Sequence, residues 1–316
     1  MTETIMILAA GMSSRMKKSE SDELNKSKID EANKKSKSLI SFGKDDKPFI
    51  YFLLDNIIKA GYKNLILVVG KDYSDFEQNI NKYKGSNRLK ISFAIQKIPS
   101  DRVKPFGTAD AVAQAIDQFP HLKSESYCVC NSDNLYSVNA LKLIRENDFE
   151  NAVLAYDRDT LEFPPERVSS FSIMTMNSEM NLLNFIEKPT KDQVDKNLDE
   201  NGKIRVSMNI FKFSGKSSSN FIINCPINPL RNEKELPSAI MNMITSSDSY
   251  MKAVPIAEHV PDLTSKKDIA ILEKLITWRS FLNVFIILKS GWIIIYWFSN
   301  NCIFFVAGTC SWICSI

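Results

Sequence analysis

Ile5-Met6-Ile7-Leu8-Ala9-Ala10-Gly11-Met12-Ser13-Ser14-Arg15-Met16, residues 5–16, opens the chain with an uncharged apolar run that turns into a loop of small residues. An apolar run without alternation is what a strand buried on both faces of a parallel sheet requires. The loop that follows ends in an arginine. Small side chains let backbone N–H groups come close to phosphate oxygens, and a guanidinium is a bidentate charge partner for them. Ala10, Gly11 and Arg15 are therefore the first candidate site residues.

Outward from this stretch, strands and helices alternate. Thr4–Ala9 reads as a strand, and Pro48–Ala60 as a helix with Phe49, Phe52, Leu53 and Ile57 on one face, ending at Gly61. Leu65–Val69 is a β-branched run, followed by a helix around Tyr73–Tyr83 and a strand at Lys90–Gln96. A helix from Thr108 to Ile116 and a strand at Tyr127–Asn131 complete the first half. The expected class is α/β, with a Rossmann-like, mostly parallel sheet and helices on both faces. Ligands then bind at the carboxyl ends of the strands, where both the Gly11 loop and Asp133 fall.

The second half shows strand signals at Ala152–Tyr156, Phe171–Met176, Leu182–Ile186 and Val206–Phe213 without regular helical crossovers. This reads as an extension of the sheet by antiparallel strands. Lys17–Lys37 is rich in Lys, Ser, Asp, Glu and Asn and is expected to be a mobile loop or a loosely formed helix. Residues 1–276 are read as one catalytic unit and 277–316 as an apolar tail. From Phe281 on, Lys289 is the only charged residue. That tail reads either as a membrane segment or as sequence foreign to the parent fold. Ser299-Asn300-Asn301 divides it, and its unbroken apolar runs fall short of the ~20 residues that a span needs.

With 316 residues, 44% hydrophobic content and a net charge of +3, the chain has ample core and too little charge asymmetry to suggest a nucleic-acid partner. The six cysteines show no C-x-x-C spacing, and Cys128 and Cys130 alternate on an apolar strand, which reads as packing rather than zinc or disulfide chemistry. Acidic Glu3 before the first apolar run argues against a signal peptide, so a reducing cytoplasm is the expected setting.

Six further stretches follow the first loop in order. Lys37-Ser38-Leu39-Ile40 precedes Gly43-Lys44 and Lys47-Pro48-Phe49-Ile50. Gln96-Lys97-Ile98-Pro99 precedes Pro105-Phe106-Gly107-Thr108-Ala109-Asp110-Ala111. Then come Cys130-Asn131-Ser132-Asp133-Asn134, Glu187-Lys188-Pro189, Ser207-Met208-Asn209-Ile210-Phe211, and Val260-Pro261-Asp262-Leu263-Thr264-Ser265-Lys266-Lys267-Asp268-Ile269. With the first loop, these resemble the landmarks of the sugar-1-phosphate nucleotidylyltransferases, also called nucleotide-sugar pyrophosphorylases.

The resemblance implies a GT-A-like nucleotidyltransferase fold. It also implies transfer of a nucleotidyl group from a nucleoside triphosphate to a sugar 1-phosphate, with release of pyrophosphate and Mg²⁺ as cofactor. Arg15 and Lys37 would be the catalytic cations, with Lys34 and Lys35 as rivals of Lys37 because Ser36 replaces the usual proline. Gln96, Gly107 and Thr108 would meet the nucleotide: the Gln96 amide offers a donor and an acceptor to a pyrimidine edge, and Gly107 lets backbone pack under a flat base. Thr108 reads equally as the start of an Ala-rich helix. Asp133 and Asp262 would hold the metal, and Glu187, Lys188 and Asn209 the sugar phosphate.

Two departures keep alternatives open. Ser13 stands where the sugar enzymes have a second glycine, a form shared with branches that use non-sugar acceptors, so a cytidylyltransferase acting on a phosphorylated alcohol such as phosphocholine is the nearest rival. A non-catalytic, membrane-tethered nucleotide-sugar sensor is the rival of another class. Membrane contact is open to the tail alone, and assembly into homo-oligomers stays open.

Overall fold

The computed structural model describes residues 1–246, 248–285, 293–299 and 302–308, with side chains as far as residue 276. In chain order the strands are β1 (Thr4–Leu8), β2 (Ser41–Phe42), β3 (Lys47–Pro48), β4 (Asn64–Val69), β5 (Lys90–Ile95), β6 (Ser126–Asn131), β7 (Ala152–Asp157), β8 (Ile173–Met176), β9 (Leu182–Ile186), β10 (Arg205–Ser214), β11 (Lys252–Ile256), β12 (Ile293–Ser299) and β13 (Cys302–Gly308). Eleven α-helices accompany them among the described residues. They are α1 (Ser14–Lys18), α2 (Lys26–Lys34), α3 (Phe49–Lys59), α4 (Ser74–Lys82), α5 (Thr108–Gln118), α6 (Val138–Glu146), α7 (Pro165–Ser169), α8 (Lys191–Lys196), α9 (Gly215–Ile223), α10 (Leu236–Ser246) and α11 (Lys266–Phe285).

The opening stretch lies at the centre. β1 runs parallel to β4 on one side and β6 on the other, with Ile5 opposite both Leu65 and Cys128. Because side chains alternate along a strand, Ile5 and Ile7 enter one core with α3, α6 and α11, while Met6 enters a second core with α5, α9 and α10. Helices thus cover both faces, as expected. The sheet order is β11-β7-β10-β6-β1-β4-β5, and within it β10 alone runs against the others. β8 and β9 form an antiparallel arm hung from the start of β10. Cys128, Cys130 and Cys225 are buried free thiols, and burial pushes the Cys128 thiol up to about 12, so it stays neutral and inert.

The second half carries more helical crossover than its sequence suggests. α6 leads from β6 to β7, capped by the Ser137 hydroxyl, which accepts the Ala140 N–H at 2.9 Å. α10 leads into β11, which pairs parallel to β7 and escapes a sequence reading because Pro255 interrupts it. Proline is tolerated there because β11 is the edge of the sheet. Of the two forms expected for Lys17–Lys37, the chain takes the helical one over α2. The Asn25 side chain caps that helix at 2.9 Å, and Glu31 binds the Ser41 N–H and hydroxyl at 3.1 and 2.9 Å.

β12 and β13 pair as an antiparallel hairpin. The expectation of a membrane segment in the tail falls in part outside the described residues, which leave out 286–292, 300–301 and 309–316. Among those described, no helix is long and apolar enough to cross a membrane.

Candidate active site

The carboxyl ends of β1, β5 and β6 open onto a cleft of about 390 Å³. Its wall includes Ala10, Gly11, Arg15, Lys37, Gln96, Gly107, Thr108 and Asp133, eight of the sequence-derived candidates. A Cβ built on Gly11 would meet no protein atom within 4 Å, so the space beside this backbone is open. Ser13 sits at φ +54°, the left-handed region, and its hydroxyl accepts the Lys37 N–H at 3.1 Å. The far end of α1 is fixed by Lys266, whose buried ammonium donates to the carbonyls of Met16, Lys17 and Ser19 at 2.9, 3.1 and 2.7 Å. Arg15, carried between these two ties, is exposed, and its guanidinium has no partner among the described residues.

Of the competing lysines, Lys37 is the one on the cleft wall. It forms an ion pair with Asp133. Lys35 instead pairs with Glu31 at 2.8 Å, and Lys34 is exposed at the end of α2.

Asp133 and Asp262 are brought together by backbone. Residues 133–135 run beside 261–263: the Leu135 N–H meets the Pro261 carbonyl at 2.8 Å, and the Leu263 N–H meets that of Asp133 at 2.8 Å. Burial and then the neighbouring Asp133 push the Asp262 carboxyl up, against the pull of Arg167. Its Oδ2 takes bonds from Arg167 and from the Thr264 hydroxyl at 2.8 Å, while Oδ1 is buried without a partner among the described residues. The helix that follows Asp262 is α11. Its start is capped by Asp268, which accepts the N–H of Ser265 at 2.6 Å and of Thr264 at 2.9 Å.

On the opposite side Gln96 is buried, and its amide nitrogen donates to the Gly107 carbonyl at 3.0 Å and to Asp110 at 2.8 Å. Both donors are thereby used inside the protein. The carbonyl oxygen is the part of the amide left for a ligand. Gly107 has φ +108°, and a Cβ there would lie 2.3 Å from the Lys234 carbonyl oxygen. The glycine is demanded first by this close passage of the 226–236 segment. Thr108 opens α5 as expected, but its hydroxyl accepts the Leu236 N–H at 3.0 Å rather than capping its own helix.

Asp262 is absent from this wall and lines a neighbouring pocket with Arg167 and Asp268, and Glu187, Lys188 and Asn209 also lie off the wall. Glu187 pairs with Arg231 and lines a neighbouring groove with Phe185 and Met241. Lys188 is exposed at φ +46°. Asn209, exposed at φ +57°, occupies a bulge of β10 where the pairing with β7 shifts register. Asparagine is among the few non-glycine residues that tolerate this conformation.

Lys104, Glu233 and Glu235 also face the cleft, and Arg167 grips Asp262 from behind. Lys104 directly precedes the Pro105–Gly107 stretch and was within reach of sequence reasoning. The other three carry no local signal, since each meets the site through the fold.

A family model for nucleotidyl transferases matches residues 32–279 of this chain. The chain belongs to the nucleotidyl transferase family. β1 and its loop precede the matched span and join it through the pairing of β1 with β4 and β6. Among solved structures, one of a UDP-glucose pyrophosphorylase complexed with UDP-glucose is similar, with a TM-score of 0.64 and 14% identity over 88% of this chain and 100% of that one. The likeness is one of fold.

Proposed function

We propose that this protein transfers a nucleotidyl group from a nucleoside triphosphate to a sugar 1-phosphate, releasing pyrophosphate and forming a nucleotide sugar. The observation that carries this reading is the convergence of an open small-residue loop, two cations and a carboxylate pair at one edge of the parallel sheet. An oxygen of the acceptor phosphate attacks the α-phosphorus. The new P–O bond forms as the bond to the bridging oxygen of the β-phosphate breaks, and pyrophosphate leaves with that electron pair. The acceptor phosphate has a second pKa of about 6, so it arrives ionised and needs no general base. What the reaction demands is stabilisation of charge growing on the α-phosphate and the leaving group.

In this reading Arg15 and Lys37 steady the triphosphate, beside the open backbone of Ala10 and Gly11. The Gln96 carbonyl, Gly107 and Thr108 meet the base, and Glu187 and Lys188 from the arm, with Asn209 from β10, receive the sugar phosphate. The donor set suits Mg²⁺. Asp262 keeps a buried oxygen without a partner next to Asp133, and among the described residues no cluster of three or more ligating side chains exists. One or two carboxylates completed by substrate oxygens is a usual Mg²⁺ environment. When bound, the ion would neutralise charge on the phosphates. Residues 1–276 form the catalytic unit, and the unpaired buried thiols fit a cytoplasmic setting.

The test is pyrophosphate release over a grid of four nucleoside triphosphates against sugar 1-phosphates and phosphorylated alcohols, with and without Mg²⁺. Release that requires a sugar 1-phosphate is expected. Release with a phosphorylated alcohol only would assign the chain to the cytidylyltransferase type of reaction, and nucleotide-sugar binding with no release would make it a sensor.

A further inference from the structure

Arg167 sits on α7, in the excursion between β7 and β8, far in sequence from every motif of the site. Its guanidinium spans two carboxylates: one terminal nitrogen binds Asp262 and the other binds Asp268 Oδ1 at 2.6 Å. Asp268 is itself immobilised, because its second oxygen accepts the N–H groups of Thr264 and Ser265 and the Ser265 hydroxyl at 3.0 Å. The guanidinium also lies over the Phe163 ring, 4.4 Å from its centroid. An arginine held by a ring and by an anchored carboxylate is a rigid support for whatever its remaining nitrogen touches. Here that is the oxygen of Asp262 that Thr264 also binds, so both donors hold one oxygen and neither occupies the other.

We propose that Arg167 is a positioning residue: it fixes the Asp262 carboxylate through Oδ2 so that Oδ1 stays available to a divalent cation shared with Asp133. This rests on the Mg²⁺ reading above. Its content is that the two-pronged bridge from Asp268 to Asp262, and not merely a positive charge at this place, sets the geometry. Partners that orient a metal ligand typically change metal affinity or activity about 10–100-fold when removed.

The experiment is binding of Mn²⁺ alone to the full chain, followed by its electron paramagnetic resonance signal, in the wild type and in Arg167→Lys, Arg167→Met and Asp262→Asn. Thermal unfolding of each variant is measured alongside. Both Arg167 variants are expected to weaken Mn²⁺ binding about 10–100-fold. Lysine does not rescue, because a single ammonium cannot bridge both carboxylates. If Arg167→Lys binds like the wild type, or Arg167→Met binds more tightly, the proposal is overturned and Arg167 is a charge neutraliser or a competitor of the ion. If Asp262→Asn binds like the wild type, the Mg²⁺ assignment itself falls and this inference with it. Should the Arg167 variants fail to fold, Thr264→Val removes the other donor to the same oxygen. It is expected to weaken Mn²⁺ binding several-fold, and unchanged binding would overturn the proposal.

Discussion

The cleft wall, which we propose holds the phosphates, and the β8–β9 arm, which we propose meets the acceptor, are built by opposite means. On the wall, parallel strands end on a common edge and their loops are fastened by bonds between distant parts of the chain. Ser13 holds Lys37, Lys266 holds α1, Lys37 pairs with Asp133, and 133–135 runs beside 261–263. The arm of β8 and β9 is fastened at its base alone: Arg205 lies opposite Met174 and Val206 opposite Ile173, and the Leu182 and Ala253 N–H groups meet the Met251 and Met180 carbonyls, both at 2.8 Å. Its Glu187 and Lys188 are exposed, and Lys188 holds a left-handed backbone that a lysine rarely adopts. A densely tied region is pre-organised, whereas one with few buried contacts opens at low free energy. The wall is suited to stabilising charge in the transition state, and the arm to admitting and releasing an acceptor.

The contrast is most exposed to contradiction at the wall's cations. Arg15→Ala and Lys37→Ala are each expected to lower kcat about 10²–10³-fold, the usual effect of removing one donor to developing charge. Arg15→Ala leaves the unfolding temperature unchanged because the guanidinium has no partner to lose among the described residues. Steady-state kinetics of Lys34→Ala and Lys35→Ala should stay near wild type. A dead Lys34 or Lys35 variant would move the phosphate contact off the cleft wall.

On the arm, the kinetic signature should invert. Glu187→Ala and Lys188→Ala are expected to raise KM for the acceptor roughly 10-fold or more, as for loss of a hydrogen bond to a charged group, with kcat little changed. A fall in kcat at saturating acceptor, matching that of Lys37→Ala, would mean that the arm is as pre-organised as the wall.

Ser13 separates strain from function within the wall. Ser13→Ala keeps the left-handed backbone and loses the bond to Lys37, whereas Ser13→Gly loses the same bond but relieves the backbone. The glycine variant is expected to be more stable than the alanine one by about 1–2 kcal/mol in denaturant unfolding. Both should show similar losses of kcat. Equal stability of the two would remove the strain, and wild-type activity in both would remove the tie.

Which of these features can be read from sequence follows from how each is made. β1, β4 and β6 announce themselves by uninterrupted apolar runs, and α3 by its periodic face and terminal Gly61 at φ +86°. α6 carried a readable signal in Ser137 and the spacing of Leu141 and Ile144, while Pro255 concealed β11. The ties are another matter. Lys266 reaches α1 across about 250 positions and Arg167 reaches Asp262 across 95, and neither leaves any local pattern. Asp262 was found through its motif, but the residue that grips it was not. Gln96 shows the same limit, since the direction of its amide is set by Asp110 and the Gly107 carbonyl.

The smallest effect is expected from the tail. Ending the chain after Phe285 preserves α11 and should leave kcat and KM unchanged, as measured on the soluble fraction of both forms. An inactive or insoluble product would make residues beyond 285 part of the catalytic unit.

The central claim is direct transfer between two substrates on the cleft wall. The measurement that tests it most directly follows the label from a nucleoside triphosphate carrying ³²P at the α-position, incubated with a sugar 1-phosphate and Mg²⁺. The label should appear in a nucleotide sugar in step with pyrophosphate release, and both should be lost in Asp133→Asn. Pyrophosphate released without an acceptor, or label transfer undiminished in Asp133→Asn, would contradict it.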